Sequence, residues 1–219
     1  MTVCERLYKA AEPVWQACLN HPFVTGIGDG SLDIEKFRHF MLQDYLYLYD
    51  YAKVFAHGVT KAKDPDLMRA FAKNVNNILD GEMSIHRSYM ARLGITEQQV
   101  RTARPALDNA SYTSYMLAVA QSGGVAEITA AILACSWSYA LIGQKLAKIP
   151  GAIDHPFYGE WIQGYASEGY AAENDVLMQR MNTLAADVSE ETMADLTEIF
   201  INCSRYELGF WDMSWELRQ

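Results

Sequence analysis

Apolar residues recur along this chain at spacings of three and four, the period of a helix with one buried stripe. Residues 2–20 place Leu7, Ala11, Val14, Trp15 and Cys18 on one such stripe. Asp33 is suited to cap a long second helix that runs unbroken to about residue 62. Asp64 followed by Pro65 is a cap with proline at the first helical position, and opens a third helix that stops at Gly94. Thr96 and Gln99 have the spacing of a capping box for a short helix. Further helices are predicted over about 109–122, ending at Gly123-Gly124, and over 125–148, closed by Pro150-Gly151. Another begins within 155–167 and bends or restarts near Ser167–Gly169, and Ser189 caps a last one that runs nearly to the C-terminus. The glycine-rich segment 21–31, HPFVTGIGDGS, is read as a loop. No alternating stretch predicts a strand, and no repeat or linker divides the chain. The expectation is an all-α, single-domain helical bundle over residues 1–219, with any site built between facing helices.

Composition narrows the partners. The 219 residues carry a formal net charge of -9, which argues against a nucleic-acid backbone as ligand. No run approaches the ~20 apolar residues that span a bilayer. Glu5 and Glu12 interrupt what would be the apolar stretch of a secretory leader. Cys4, Cys18, Cys135 and Cys203 form no CxxC pair and no zinc spacing, so free thiols in a cytoplasmic setting are expected.

Three clusters carry candidate chemistry. In QDYLYLYDY (43–51), Asp44, Tyr47 and Tyr51 project from one helix face. A carboxylate with two phenols on an inward face calls for a polar ligand; a tyrosine-rich packing face with Asp44 salt-bridged or solvated is the more ordinary reading. In AAILACSWSYALIG (130–143), Cys135 and Tyr139 share a face of an apolar helix. Cysteine in such company is usually an inert core residue, and becomes a nucleophile only where a polar pocket opens beside it. In RYELGFWDMSW (205–215), Glu207, Phe210 and Trp211 stand at i, i+3 and i+4. A glutamate among large aromatics is placed to have the raised pKa of a general acid, or else is a half-exposed charge beside core rings. Tyr112 and Tyr165 offer further aromatic walls, or packed core tyrosines. Were the clusters to converge, they would make a flat, aromatic pocket suited to a planar, nitrogen-rich ring.

In order and spacing, the chain resembles the thiaminase II (TenA) family over essentially its whole length. The residues that carry the likeness are HPFV (21–24), DGSL (29–32), Phe37 with QDYLY (43–47), Glu82 and His86, and Cys135 with Tyr139. HPFYGEWIQGYAS (155–167) and Glu207 with Phe210 and Trp211 complete the set. Ser31 stands where threonine is expected, with no evident effect on the site. The resemblance implies a haem-oxygenase-like helical fold and a homotetramer. It also implies hydrolysis of 4-amino-5-aminomethyl-2-methylpyrimidine, and of thiamin, to the hydroxymethyl pyrimidine, with no cofactor or metal. It places the nucleophile on Cys135, the acid/base on Glu207 and the ring-binding carboxylate on Asp44. The ring contacts fall on Tyr47, Tyr51, Tyr112, Tyr139, Tyr165 and Phe210. Two rival readings remain. One is a metal-dependent oxidase of the same fold using Glu82 and His86, although the last helix lacks the histidine such a site needs. The other is a non-catalytic regulator that binds a pyrimidine or a partner protein.

Overall fold

A computed structural model describes residues 1–219. Eleven α-helices and no strand make up the regular structure: α1 (Val3–Leu19), α2 (Pro22–Asp29), α3 (Ile34–Lys61), α4 (Pro65–Asn76), α5 (Met83–Arg92), α6 (Glu97–Thr102), α7 (Leu107–Ser122), α8 (Val125–Leu146), α9 (Gly159–Ala166), α10 (Glu168–Leu184) and α11 (Glu190–Glu216). The caps read from the sequence are in place. Asp33, Asp64, Thr96 and Ser189 each accept a hydrogen bond from a first-turn backbone N–H, and Ser167, where the sequence suggested a bend or restart, caps α10 in the same way.

Two local predictions need correction. The segment 21–31 is not a loop, because α2 occupies most of it. The His21 ring nitrogen accepts from the Phe23 N–H at 3.1 Å, Pro22 supplies the first turn, and Gly30 at φ 77° ends the helix. Gly28 lets α2 pack closely, since a Cβ there would lie 2.8 Å from the Leu146 side chain and 2.6 Å from that of Ile149, whose terminal methyls would have to shift. The predicted third helix is also not uniform. It splits into α4 and α5 around a π-helical turn, Asn77–Glu82, a feature often found at functional sites.

At the centre of the bundle, α8 packs against α11, α10, α9, α3 and α7. Its residues from Ile128 to Cys135 are all buried, so over this stretch it is covered on every side. It is long and apolar enough by composition to cross a membrane, yet 72% of its most apolar window is buried within the bundle. Its hydropathy is that of a core helix. A continuous cluster of 54 buried hydrophobic residues joins α8 to the surrounding helices. Polar ties reinforce it: the Trp15 indole N–H of α1 donates to the Ser204 hydroxyl of α11 at 3.0 Å.

Candidate active site

A cavity of about 780 Å³ opens between α3, α8, α9, α10 and the π-turn. It takes in one face each of two long helices. From α3 come Asp44, Tyr47 and Tyr51, and from α8 come Cys135 and Tyr139. Tyr165 closes another wall from α9. The helical spacings read from the sequence thus bring six of the nine candidate residues to one space. Cys135 is 9% exposed and is the one cysteine that lines the cavity; Cys4, Cys18 and Cys203 are buried elsewhere.

The other three candidates, Glu207, Tyr112 and Phe210, are buried but do not line the cavity. They stand behind its wall. The Tyr112 hydroxyl donates to Glu207 Oε1 at 2.7 Å, and the Tyr112 ring packs 5.3 Å from that of Tyr47. Phe210 meets the edge of Tyr47 at 5.9 Å. Tyr47 is in turn stacked on Tyr51 at 5.2 Å, giving a flat aromatic surface.

Burial governs the titration of these groups. It pushes the Glu207 carboxyl up to about 7, against hydrogen bonds from Tyr112 and Cys135 that favour the ionised form. The Cys135 thiol is raised well above its usual value, first by burial and then by the neighbouring Glu207 charge, while Tyr47 opposes the rise. At neutral pH the thiol is therefore protonated and lies beside a carboxyl whose pKa burial has raised toward neutrality. That pairing suits a proton handed from sulfur to oxygen as the sulfur attacks.

A second polar centre lies along α5. His86 Nε2 is 2.6 Å from Asp44 Oδ2, both side chains being buried. The other ring nitrogen, Nδ1, is 3.0 Å from the Glu82 carbonyl oxygen, which only accepts, so Nδ1 carries a proton. Burial disfavours the imidazolium, but the hydrogen bond and charge of Asp44 outweigh it, and the His86 pKa is raised. Asp44 is thus salt-bridged, as the more ordinary reading allowed, and its partner is a buried histidine that also lines the cavity. Both nitrogens of His86 are engaged, and no three His, Cys, Asp or Glu side chains gather as a metal-holding group.

Sequence reasoning did not pick out Tyr170, Ser136 or Asn174, all of which line the cavity. Ser136 bonds Asn174 Oδ1 at 3.0 Å and so ties α8 to α10. Tyr170 packs edge-on against Tyr165 at 5.1 Å. Ser136 sits one residue from Cys135 on a helix buried all round, a position that a single-stripe reading overlooks.

Fold and site together define an all-α bundle whose aromatic cavity holds one thiol and several carboxylates. The chain belongs to the TENA/THI-4/PQQC family, whose model matches residues 8–217. It is 49% identical to the aminopyrimidine aminohydrolase of Halalkalibacterium halodurans, over 100% of this chain and 97% of that one. With the Helicobacter pylori protein of the same name it shares 46% identity, over 99% of this chain and 100% of that one. Among solved structures, a TenA homologue from P. horikoshii OT3 superposes with a TM-score of 0.90 at 29% identity, covering 99% of each chain. A haem oxygenase-1 from Synechocystis superposes with a TM-score of 0.69 at 14% identity, over 97% of this chain and 91% of that one. That last likeness is one of fold alone, and the fold is haem-oxygenase-like.

Proposed function

We propose that this protein hydrolyses 4-amino-2-methylpyrimidines substituted at the 5-methylene, including the aminomethyl compound and thiamin, to the hydroxymethyl pyrimidine of thiamin salvage. The observation that carries the reading is the Cys135 thiol, set in an aromatic cavity with the Glu207 carboxyl against it. The relatives named aminopyrimidine aminohydrolase support the same substrate class.

The residues divide the work. Asp44, held by His86, accepts a hydrogen bond from the exocyclic amine of the ring, and Tyr47, Tyr51, Tyr139 and Tyr165 wall the ring faces. Glu207 takes the proton of Cys135 as sulfur bonds to the ring carbon beside a ring nitrogen. The displaced electron pair moves onto that nitrogen, and Glu207, reached past Cys135 from behind the wall, returns the proton. The nitrogen's electrons then push back through the ring, the bond from methylene to the leaving group breaks, and an exocyclic alkene forms. Water adds at the methylene, the thiol departs, and the ring regains aromaticity. One water enters and one amine or thiazole leaves, with no change of oxidation state. Tyr112 and Phe210 act from behind the wall, Tyr112 by orienting Glu207 and Phe210 by supporting Tyr47.

The proposal takes residues 1–219 as one functional domain, in keeping with the continuous core. It includes the homotetramer that the family resemblance implies. A cytoplasmic location is in keeping with the four free cysteines. The decisive experiment incubates enzyme at catalytic concentration with 4-amino-5-aminomethyl-2-methylpyrimidine and follows ammonia and the hydroxymethyl product. Many turnovers per chain are expected. Stoichiometric binding without turnover would overturn the hydrolase reading in favour of a regulator.

A further inference from the structure

Glu82 is a carboxylate in the cavity that the chemistry above leaves unused. It ends the π-turn, lines the cavity, and accepts one side-chain hydrogen bond, from the Tyr165 hydroxyl at 3.4 Å. No lysine or arginine lines the cavity. Its one histidine, His86, is committed to Asp44 and to the Glu82 backbone carbonyl. Burial raises the Glu82 carboxyl to about 7, with His86 opposing and Asp44 adding to the rise. A partly buried carboxylate on the cavity wall with no cation of its own is a site that attracts one.

The place of Glu82 on the cavity wall bears on what that cation is. On the pyrimidine, the 5-methylene lies between the carbon bearing the amine and the carbon that sulfur attacks. With the amine on Asp44 and the attacked carbon at Cys135, the leaving group must project into the arc between those two residues. A chain of contacts links Glu82 to the residues at both ends of that arc. It is one helical turn from His86, which bonds Asp44 at 2.6 Å. On its other side it touches Tyr165, whose ring packs 4.8 Å from that of Tyr139, one turn from Cys135 on α8.

We propose that Glu82 receives the positively charged leaving group of the substrate and sets a preference for pyrimidines whose 5-methylene carries a cation. The inference rests on the hydrolase reading above and names a specificity residue within it. An aminomethyl group is an ammonium near neutral pH, and the thiazolium of thiamin is a permanent cation. Held as the ammonium, the nitrogen keeps the electron pair of the broken bond and leaves as ammonia, needing no further proton. A phosphorylated leaving group would meet Asp80, Glu82 and Glu173 with no basic side chain to offset them.

The test separates charge recognition from support of the cavity. In a Cys135→Ser background, which binds without turnover, calorimetry compares 4-amino-5-aminomethyl-2-methylpyrimidine with its neutral 5-hydroxymethyl counterpart. Adding Glu82→Gln is expected to weaken the cation's binding at least tenfold more than that of the neutral ligand, whose retained affinity also reports an intact fold. Equal weakening of both, or none of either, overturns the assignment. If Cys135→Ser alone binds neither ligand, the hydrolase reading falls and this inference falls with it.

Discussion

The Tyr112 phenol donates a 2.7 Å hydrogen bond to Glu207, and both side chains are almost wholly buried. This bond favours the ionised carboxyl against burial, which has raised it to about 7. Tyr112→Phe removes the donor, so the Glu207 pKa should rise further. If the carboxylate is what accepts the thiol proton, the acid limb of kcat/KM moves to higher pH. A hydrogen bond to a charged group is worth about 1.5–3 kcal/mol, which moves that limb by about one to two pH units. A pH–rate profile identical to the wild type would remove Tyr112 from this role.

Cys135 and Glu207 are expected to act as one unit. Cys135→Ser should abolish nearly all turnover, and Glu207→Gln should cripple it, because an amide neither takes nor returns the proton. Groups in one chemical step are strongly non-additive, so the double variant should be little worse than the poorer single one. Alanine at Cys4, Cys18 or Cys203 should leave kcat within a fewfold. Wild-type kcat in Cys135→Ser would refute the mechanism.

Asp44 carries the ring's amine in this reading and is fixed by His86 at 2.6 Å. Asp44→Asn should lower kcat/KM by about ten- to over a hundredfold, the worth of a charge-assisted hydrogen bond. Steady-state kinetics with the aminomethyl substrate would show it. Unchanged kinetics would leave the Asp44–His86 pair a purely structural one.

Stability should fall as the solution is made alkaline. Glu207 titrates at about 7 in the folded chain against an ordinary 4.5, so between these values the folded state holds more protons than the unfolded one. The associated stability is complete below about pH 4.5 and is lost as the pH rises through about 7. Between pH 5.5 and 8, Glu207 alone accounts for about 2 kcal/mol. Glu82, also at about 7, and His86, with its raised pKa, act in the same direction. Urea unfolding at the two pH values should show the wild type losing more stability than Glu207→Gln, by about that amount. Equal losses would contradict the buried, protonated glutamate.

At Gly143, α8 lies close against the backbone at the end of α9. A Cβ there would lie 2.6 Å from the Tyr165 carbonyl carbon and 2.8 Å from the Ala166 nitrogen, and backbone does not yield as a flexible side chain does. Gly143→Ala should cost about 1–3 kcal/mol, the usual range for overpacking, and should lower kcat/KM by shifting Tyr165. Denaturant melts and kinetics test the two effects separately. Full retention of both would show that the helices separate without cost.

By itself, the sequence determined the helices and the faces they present. Capping and proline placement are local, so Asp33, Asp64, Thr96 and Ser189 could be read as helix starts and are. A spacing of three and four places Asp44 with Tyr47 and Tyr51, and Cys135 with Tyr139, whatever surrounds them. Local signals failed at α2, where of the glycines read as a loop Gly26 packs against Leu32, Gly28 packs against Leu146 and Ile149, and only Gly30 ends the helix. Only the tertiary structure decided which faces meet. Asp44 and His86 lie 42 positions apart, and Tyr112 and Glu207 lie 95 apart. Periodicity fixes the direction of a side chain about its own helix and carries no information about the helix opposite. For the same reason only the packed bundle could set Cys135 on the cavity wall, Glu207 behind it and Glu82 without a cation, and burial in that bundle is what gives both glutamates their raised pKa.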